Sequence, residues 1–225
     1  MYGPRRSRKR RRGKRRRGLS FATRARRAVM RVAETKRHIL NTGNESSLSL
    51  ISGFNTYRLF NLSQGDSSYT RDGDKIYITN VQGKLIFTHE GGYPAYIRVV
   101  ILAAVRDAVD TSLALFEGIN DTDMTMLNAR AAGWHVPITA KFNKEAVRIH
   151  YSKTFRMEPL TQRTKMIQIN KKVMKSVKYD GSANTAPESR MDDWYIVVMG
   201  ADASNDESTP SVEISGQVHV YFKDF

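Results

Sequence analysis

Basic residues are concentrated at the N-terminal end of this 225-residue chain. Residues 1–37 contain 17 of the 37 lysines and arginines but one of the 22 acidic residues, Glu34, which gives a net charge of +16. The other 188 residues carry 20 bases and 21 acids, a net charge of −1, in agreement with the total of +15. Side chains of one sign at this density repel one another and present no apolar face. The sequence therefore predicts a disordered, arginine-rich arm over residues 1–37 and a folded domain over residues 38–225, whose first strand begins near residue 34.

The segment after the arm is long enough for one domain with a substantial core. The chain is 40% hydrophobic with a mean hydropathy of −0.50, values typical of a soluble protein. Its longest apolar run, 99–105, is much shorter than the roughly 18 residues of a membrane span, so no membrane insertion is expected. The basic N-terminus has no apolar run behind it and does not resemble a secretory signal. The absence of cysteine excludes disulfides and thiolate metal sites.

Alternation of apolar and polar residues with a period of two dominates the second part of the chain and predicts β-strands. In segment 147–157 it places on one face Val147, Ile149, Tyr151, Phe155 and Met157. The C-terminal segment repeats it with Val212, Ile214, Val218, Val220 and Phe222. Further strands are predicted at 34–40, 75–88, 96–106, 166–179 and 194–200, with a weaker candidate at 57–62.

The predicted strands are joined by long connections, chiefly at 117–142, 180–193 and 201–211. Two helices are predicted at 107–116 and 121–132, and the polar segment 41–56 is predicted to be a loop. The apolar spacing within 21–32 fits either a helix that forms on binding or simply a less basic end of the arm. Seven or eight strands with long excursions favour an all-β fold, a two-sheet Greek-key sandwich.

Several short motifs follow one another in an order that resembles a known family. They are Glu34-Thr35-Lys36, Leu62-Ser63-Gln64-Gly65, Arg71-Asp72-Gly73-Asp74-Lys75-Ile76-Tyr77-Ile78, Tyr96-Ile97-Arg98-Val99-Val100-Ile101, Lys141-Phe142-Asn143 and Gln217-Val218-His219-Val220-Tyr221-Phe222-Lys223-Asp224. With the arginine-rich arm before them, they resemble the capsid proteins of small circular single-stranded DNA viruses that encode a replication initiator (CRESS-DNA viruses, circovirus-like). Each motif is common by itself, and their order carries the resemblance. Where that family often has Arg-Ile-Gly, this chain has Arg71-Asp72-Gly73.

The resemblance implies a single eight-stranded jelly-roll domain that self-assembles into a small T=1 icosahedral shell of 60 copies. It implies that the arm faces a packaged circular single-stranded DNA genome and serves as a nuclear localisation signal in a eukaryotic host. The expected partners are then the genome, further copies of the chain, the host nuclear import machinery and a cell-surface receptor. The expected locations are the virion and, during assembly, the host nucleus.

The arm itself has the composition of a segment that binds nucleic acid without sequence preference. Its candidate binding residues are Arg5, Arg6, Arg8, Lys9, Arg10, Arg11, Arg12, Lys14, Arg15, Arg16, Arg17, Arg24, Arg26, Arg27 and Arg31. Guanidinium groups bind phosphate in a bidentate fork, whereas aromatic rings for base stacking are limited in the arm to Tyr2 and Phe21. Sixty arms would bring about 960 positive charges, which matches a genome of roughly a thousand nucleotides. A solvated charge run without a ligand is the less favoured interpretation.

A second basic stretch lies between residues 163 and 178 and contains no acid. Its members are Arg163, Lys165, Lys171, Lys172, Lys175 and Lys178, of which the last four are the additional candidates for nucleic-acid binding. An ordinary solvated strand face explains this stretch equally well. The sequence leaves both interpretations open.

The sequence contains no pattern typical of an enzyme, metal site or cofactor site. Its five histidines are scattered, and it has no phosphate-binding glycine loop or nucleophile elbow. The pair Asp192 and Asp193 is interpreted as part of an exposed loop, and Asp72 and Asp74 as turn residues around Gly73. A calcium site at these acids is disfavoured because calcium needs six or more oxygen ligands. Trp134 and Trp194 are expected in the core or at an interface.

Two functions remain after these exclusions. The favoured one is a viral capsid protein that encloses single-stranded DNA. The alternative is a cellular nucleic-acid-binding structural protein of the ribosomal or chromatin type, which would usually keep a basic surface on its folded part. A nuclease or replication enzyme would need clustered carboxylates or metal-spaced histidines, which the sequence does not show.

Overall fold

The described part of the chain contains nine β-strands. The structure, a computed structural model, describes residues 20, 21, 25, 28, 33–42, 46–49, 54–104, 136–139, 141–144, 147–181, 185–189, 192–202 and 211–224. Within these, the strands are β1 (Thr35–Asn41), β2 (Ser46–Ser49), β3 (Phe54–Arg58), β4 (Lys75–His89), β5 (Ala95–Ala104), β6 (Val147–Met157), β7 (Thr164–Lys178), β8 (Trp194–Asp202) and β9 (Ser211–Asp224). A single helical turn, Val136–Thr139, precedes β6.

The strands form two antiparallel sheets. In sheet I the order is β1-β9-β4-β7, and in sheet II it is β3-β8-β5-β6. Strands β1 and β2 both pair with β9, β1 opposite residues 217–223 and β2 opposite residues 211–214, so they share one edge of sheet I. Nine strands thus fill four positions in each sheet. This arrangement is the predicted jelly roll, in which the chain passes from one sheet to the other after every strand from β2 onward except β5, whose successor β6 is its direct neighbour in sheet II.

The core lies between the two sheets and is built from the apolar positions of the alternating pattern. On β9 the residues Val212, Ile214, Val218, Val220 and Phe222 are all fully buried, as their spacing predicts. Buried side chains of β4, β5, β7 and β8 complete the same cluster. Because the alternation puts one side of each strand in the core, the opposite side of each sheet is left to other contacts.

The predicted loop at 41–56 is wrong in part, since β2 and the start of β3 lie within it. Leu48 is fully buried, and it is the only aliphatic residue of β2. A four-residue strand with three serines shows little alternation, so the sequence pattern does not reveal it. Its pairing with β9 rests on backbone hydrogen bonds. The weaker candidate at 57–62 is displaced as well, because the strand ends at Arg58 and the chain then turns into the core at Leu59 and Phe60.

The predicted inward position of Ile149 is also wrong, since 42% of this residue is exposed. The pairing of β6 with β5 shifts between Ile101 and Leu102, where the partner changes from Tyr151 to Ile149. His150 is the extra residue of this bulge, and its ring stacks on Trp194 with centroids 3.7 Å apart. A bulge reverses which residues point inward on one side of it, and this reversal is invisible to a simple count of alternate positions.

Several predictions lie outside the described residues. These are the two helices at 107–116 and 121–132, most of the segment 21–32, and Trp134. Of the segment 21–32, Phe21, Ala25 and Ala28 are described and are helical. The chain divides into two units after Ala33. Among the described residues no helix is long and apolar enough to cross a membrane.

Candidate nucleic-acid interface

The arm residues predicted to bind nucleic acid, Arg5 through Arg31, lie outside the described part of the chain. Their role stays a prediction. What the structure does describe is the point at which the chain enters the folded domain. Glu34 leads directly into β1, the edge strand of sheet I, and Thr35 pairs with Lys223 near the end of β9. The arm is therefore joined covalently to sheet I.

Lys36 and Arg37, which the charge count groups with the arm, belong to this first strand. The side chain of Lys36 is buried, and its ammonium group pairs with Asp72 and lies 3.1 Å from the carboxylate of Asp224. Burial lowers the pKa of Lys36, but the hydrogen bonds and charges of the two aspartates outweigh it, so that the pKa is raised. Lys36 is thus a structural residue, whereas Arg37 is exposed with its guanidinium 5.7 Å from the Tyr69 ring.

The outer face of sheet I, the side turned away from the core, is basic. Paired residues of neighbouring antiparallel strands share a face, so the register with the buried positions identifies its members. Its basic members are Arg37, Lys75, Lys84, Lys172, Lys178 and Lys223. Among the strand residues that the structure describes, the same face has one acid, Glu213. A surface of this charge attracts a polyanion.

The four additional lysine candidates on β7 do not share one face. A bulge opposite Thr79, with Met174 at a φ of 55°, lies between them. Lys171 and Lys175 pair with the buried residues Val81 and Ile78, so they point toward the sandwich side at the edge of the sheet.

Lys172 and Lys178 lie on the outer face instead. Lys178 pairs with Glu188 at 2.7 Å, which raises its pKa through the hydrogen bond and charge of that carboxylate. Lys175, on the other side, is engaged by Asp192. Within the part of the chain that is described, Lys172 and Lys84 form no ion pair, so their charges are available to a ligand.

The outer face of sheet II has the opposite character. Its central residues Val100, Leu102, Val197 and Met199 are buried, although they point away from the core between the sheets. The segment 136–144 packs against this face: Arg98 donates a hydrogen bond to the carbonyl of Ile138 at 3.1 Å and lies over the Phe142 ring. Burial lowers the pKa of Arg98. The arginines of this face, Arg58, Arg98 and Arg156, are engaged by Asp193, the Ile138 carbonyl and Glu158. Sheet I is therefore the candidate interface.

The acidic residues that the sequence analysis singled out form ion pairs with neighbouring basic side chains. Asp72 pairs with Lys36, and Asp74 lies 3.1 Å from the guanidinium of Arg71. Asp193 is only 5% exposed and accepts hydrogen bonds from Arg58 and from the Tyr195 hydroxyl at 2.7 Å. The interpretation of Asp193 as an exposed loop residue is therefore wrong, because its carboxylate is buried and paired with the partly exposed Arg58.

Histidines do not form a cluster in the described residues. His38, His89, His150 and His219 lie on four different strands, and His135 is not described. Across the described ranges no group of three or more His, Cys, Asp or Glu side chains is placed to hold a metal ion. The chemistry that this geometry offers is binding through a basic surface.

Comparisons with known proteins add the following findings. No protein-family model matches the chain, and no curated protein matches it. Among solved structures, it is similar to Desmodium yellow mottle tymovirus, with 9% identity, 84% of this chain and 86% of that chain covered, and a TM-score of 0.35. It is also similar to a 60-mer of the BFDV capsid protein, with 12% identity, coverage of 84% and 93%, and a TM-score of 0.33. Similarities at this level carry no argument about function.

Proposed function

We propose that this protein is a viral capsid subunit that assembles into a closed T=1 icosahedral shell of 60 copies around a circular single-stranded DNA genome. Its arm neutralises the phosphates, and the jelly-roll domain builds the shell. The order of sequence motifs that resembles circovirus-like capsid proteins supports this choice over other jelly-roll functions. The choice of DNA over RNA rests on the same resemblance, because phosphate charge does not distinguish the two.

One observation carries the proposal: the basic outer face and the root of the arm belong to the same sheet. Arg37 lies on that face, three residues after Glu34, where the chain enters β1. In a subunit built in this way, the arm is joined to the sheet that carries the basic face, whereas the central residues of the outer face of sheet II are apolar and buried. Such a division suits a shell wall with one side turned to nucleic acid.

The arm also serves as a nuclear localisation signal in this proposal, since clustered lysines and arginines are read by nuclear import receptors as well as by phosphates. The subunit then reaches the nucleus before assembly and the virion after it. Fusing residues 1–37 to a fluorescent reporter tests this part. A reporter that stays evenly distributed between cytoplasm and nucleus would contradict it.

The assembly proposal is tested by expressing the full chain and imaging it by negative-stain electron microscopy. We expect uniform closed particles whose nucleic acid resists added nuclease until the particles are opened. Removing residues 1–33 is expected to leave shells or shell fragments that contain no nucleic acid. Typing the protected material with DNase and RNase then identifies the polymer.

The alternative is a cellular nucleic-acid-binding structural protein, and the basic face of sheet I is compatible with it. The two proposals differ in assembly, because a ribosomal or chromatin protein does not form closed particles. A full chain that remains monomeric at every salt concentration and pH would favour this alternative and refute the capsid proposal.

A further inference from the structure

A concave groove crosses the outer face of sheet I where β9, β4 and β7 lie side by side. Its volume is about 500 Å³, within the roughly 300–1,000 Å³ of typical ligand clefts. The groove is lined by the polar side chains of Gln82, Lys84, Asn170, His219 and Tyr221 among others, together with the apolar Ile86. The proposed packaging role assigns phosphate binding to the arm and to the lysines of this face, and it gives the amides and rings of the groove no function.

The chemistry of the groove is that of amides rather than of charges. Side-chain amides present both donors and acceptors, which is the pattern on the edges of nucleobases, whereas phosphate oxygens only accept. Asn170 accepts hydrogen bonds from Asn80 at 3.5 Å and from Gln82 at 3.4 Å. Both distances are at the long end of the range for a hydrogen bond, so these amides bind one another only weakly.

Aromatic rings and a single cation complete the groove. The rings of His219 and Tyr221 lie on alternate positions of β9, with centroids 6.3 Å apart and tilted by 32°. Both are partly exposed, and flat rings of this kind stack on unpaired bases. Lys84 supplies one charge for a phosphate that joins the bases.

Strands β4 and β9 approach closely at the floor of this groove, where Gly83 and Gly216 line it. Gly216 has a φ of +142°, and a Cβ atom there would collide with the Lys84 carbonyl. A Cβ atom on Gly83 would lie 2.7 Å from the Cα of Val218. The two glycines thus allow the backbones of β4 and β9 to lie closer together beneath the amides than residues with a Cβ atom would permit.

We propose that this groove binds the unpaired bases of a single-stranded nucleic acid, which adds a base-contacting site on the folded domain to the charge-based arm. The inference rests on the proposed nucleic-acid function. Like charges exclude a second copy as the occupant, because the basic face repels the same face of another subunit. An unpaired strand offers both the negative charge and the exposed edges that the groove fits.

The test compares two fluorescent strands of equal length with the full chain: a mixed-sequence single-stranded DNA and an abasic strand with the same number of phosphates. Because stacking and edge contacts require bases, we expect the mixed-sequence strand to bind about tenfold more tightly. The double variant Gln82→Ala with Tyr221→Leu is expected to remove this difference and to leave the affinity for the abasic strand unchanged. The matched control, Asn61→Ala with Tyr93→Leu, changes an exposed amide and an exposed tyrosine outside the groove and should keep the difference.

Photo-cross-linking of the unmodified full chain provides a measurement that does not depend on the stability of a variant. A strand containing 5-iododeoxyuridine is expected to attach to the peptide that includes His219 and Tyr221. Cross-links confined to residues 1–37, or equal affinity of the wild type for the two strands, would overturn the base-binding groove. Neither result would affect packaging by charge, whereas the absence of closed particles would refute the capsid proposal and leave the groove measurement valid.

Discussion

The guanidinium group of Arg71 lies 4.5 Å from the centroid of the Tyr179 ring, and both side chains are almost completely buried. Arg71 also donates hydrogen bonds to the carbonyls of Gly73 at 2.8 Å and Gly181 at 2.6 Å. The Tyr179 hydroxyl donates to the carbonyl of Phe60 at 3.1 Å. Together the two residues join the loop before β4 to the chain that leaves β7.

Replacing Arg71 by lysine is therefore expected to destabilise the domain. A lysine has one ammonium group in place of a planar fork, so at least one buried carbonyl loses its donor. We expect the free energy of unfolding to fall by about 3 kcal/mol. Urea unfolding of the dissociated subunit measures it, from the midpoint and the slope of the transition. The matched control is Arg156→Lys. Because Arg156 forms an exposed ion pair with Glu158, this substitution should change the free energy of unfolding by less than about 0.5 kcal/mol. Equal effects of the two substitutions would contradict a structural role for Arg71.

Gly216 and Gly92 offer a second matched pair. A Cβ atom at Gly216 would lie 3.1 Å from the Cα of Leu85 and even closer to the Lys84 carbonyl, whereas nothing lies within 4 Å of a Cβ atom at Gly92. Gly216→Ala is expected to cost about 2 kcal/mol or more, because the φ of +142° is strained for alanine. Gly92→Ala should be neutral within about 0.5 kcal/mol. Thermal unfolding of both variants measures the difference, and an unaffected Gly216→Ala protein would show that β4 and β9 separate readily.

His150 makes the stability of the domain depend on pH. Burial, followed by the charges of Lys171, Arg148 and Lys175, lowers its pKa from 6.5 to about 4. Between these values the imidazole of His150 binds a proton in the unfolded chain but not in the folded protein. The free energy of unfolding is therefore highest above pH 6.5 and decreases as the pH falls toward 4. The loss is at most about 1.4 kcal/mol per pH unit and is reduced by solvent screening.

The variant His150→Phe keeps a ring to stack on Trp194 but has no proton to bind. Its stability, followed by urea unfolding from pH 6.5 to 4, should fall less steeply than that of the wild type. Lys171→Gln serves as a companion, since removing that charge should raise the pKa of His150 in an NMR titration. A wild type and a His150→Phe variant with identical pH profiles would disprove this assignment.

The sequence predicted the fold well because period-two alternation records which residues of each strand face the core. It did not predict which strands are neighbours, and the basic face depends on that information. Lys84 and Lys223 are far apart in the sequence and come to one face only because β4 pairs with β9. Local departures from alternation were missed for a related reason, as the bulge at His150 has no signature in the spacing of apolar residues.

Charge on the outer face of sheet I leads to a prediction about salt. Each lysine that contacts a phosphate releases counterions, so the logarithm of the binding constant falls with the logarithm of salt concentration by about 0.7 per contact on a single strand. The double variant Lys84→Gln with Lys172→Gln should therefore reduce the steepness of this dependence by about 1.4 relative to the wild type. Fluorescence anisotropy of a single-stranded DNA over a salt series measures it.

The control for this measurement is Lys144→Gln with Lys153→Gln, which removes the same charge from two exposed lysines outside sheet I. If attraction came only from the net charge of the protein, both double variants would change the slope equally. If the outer face of sheet I contacts the DNA strand, the slope of the salt dependence changes only in the double variant of Lys84 and Lys172. The arm is present in all three proteins, so its own contacts cancel, and equal slopes for the two double variants would remove sheet I from the interface.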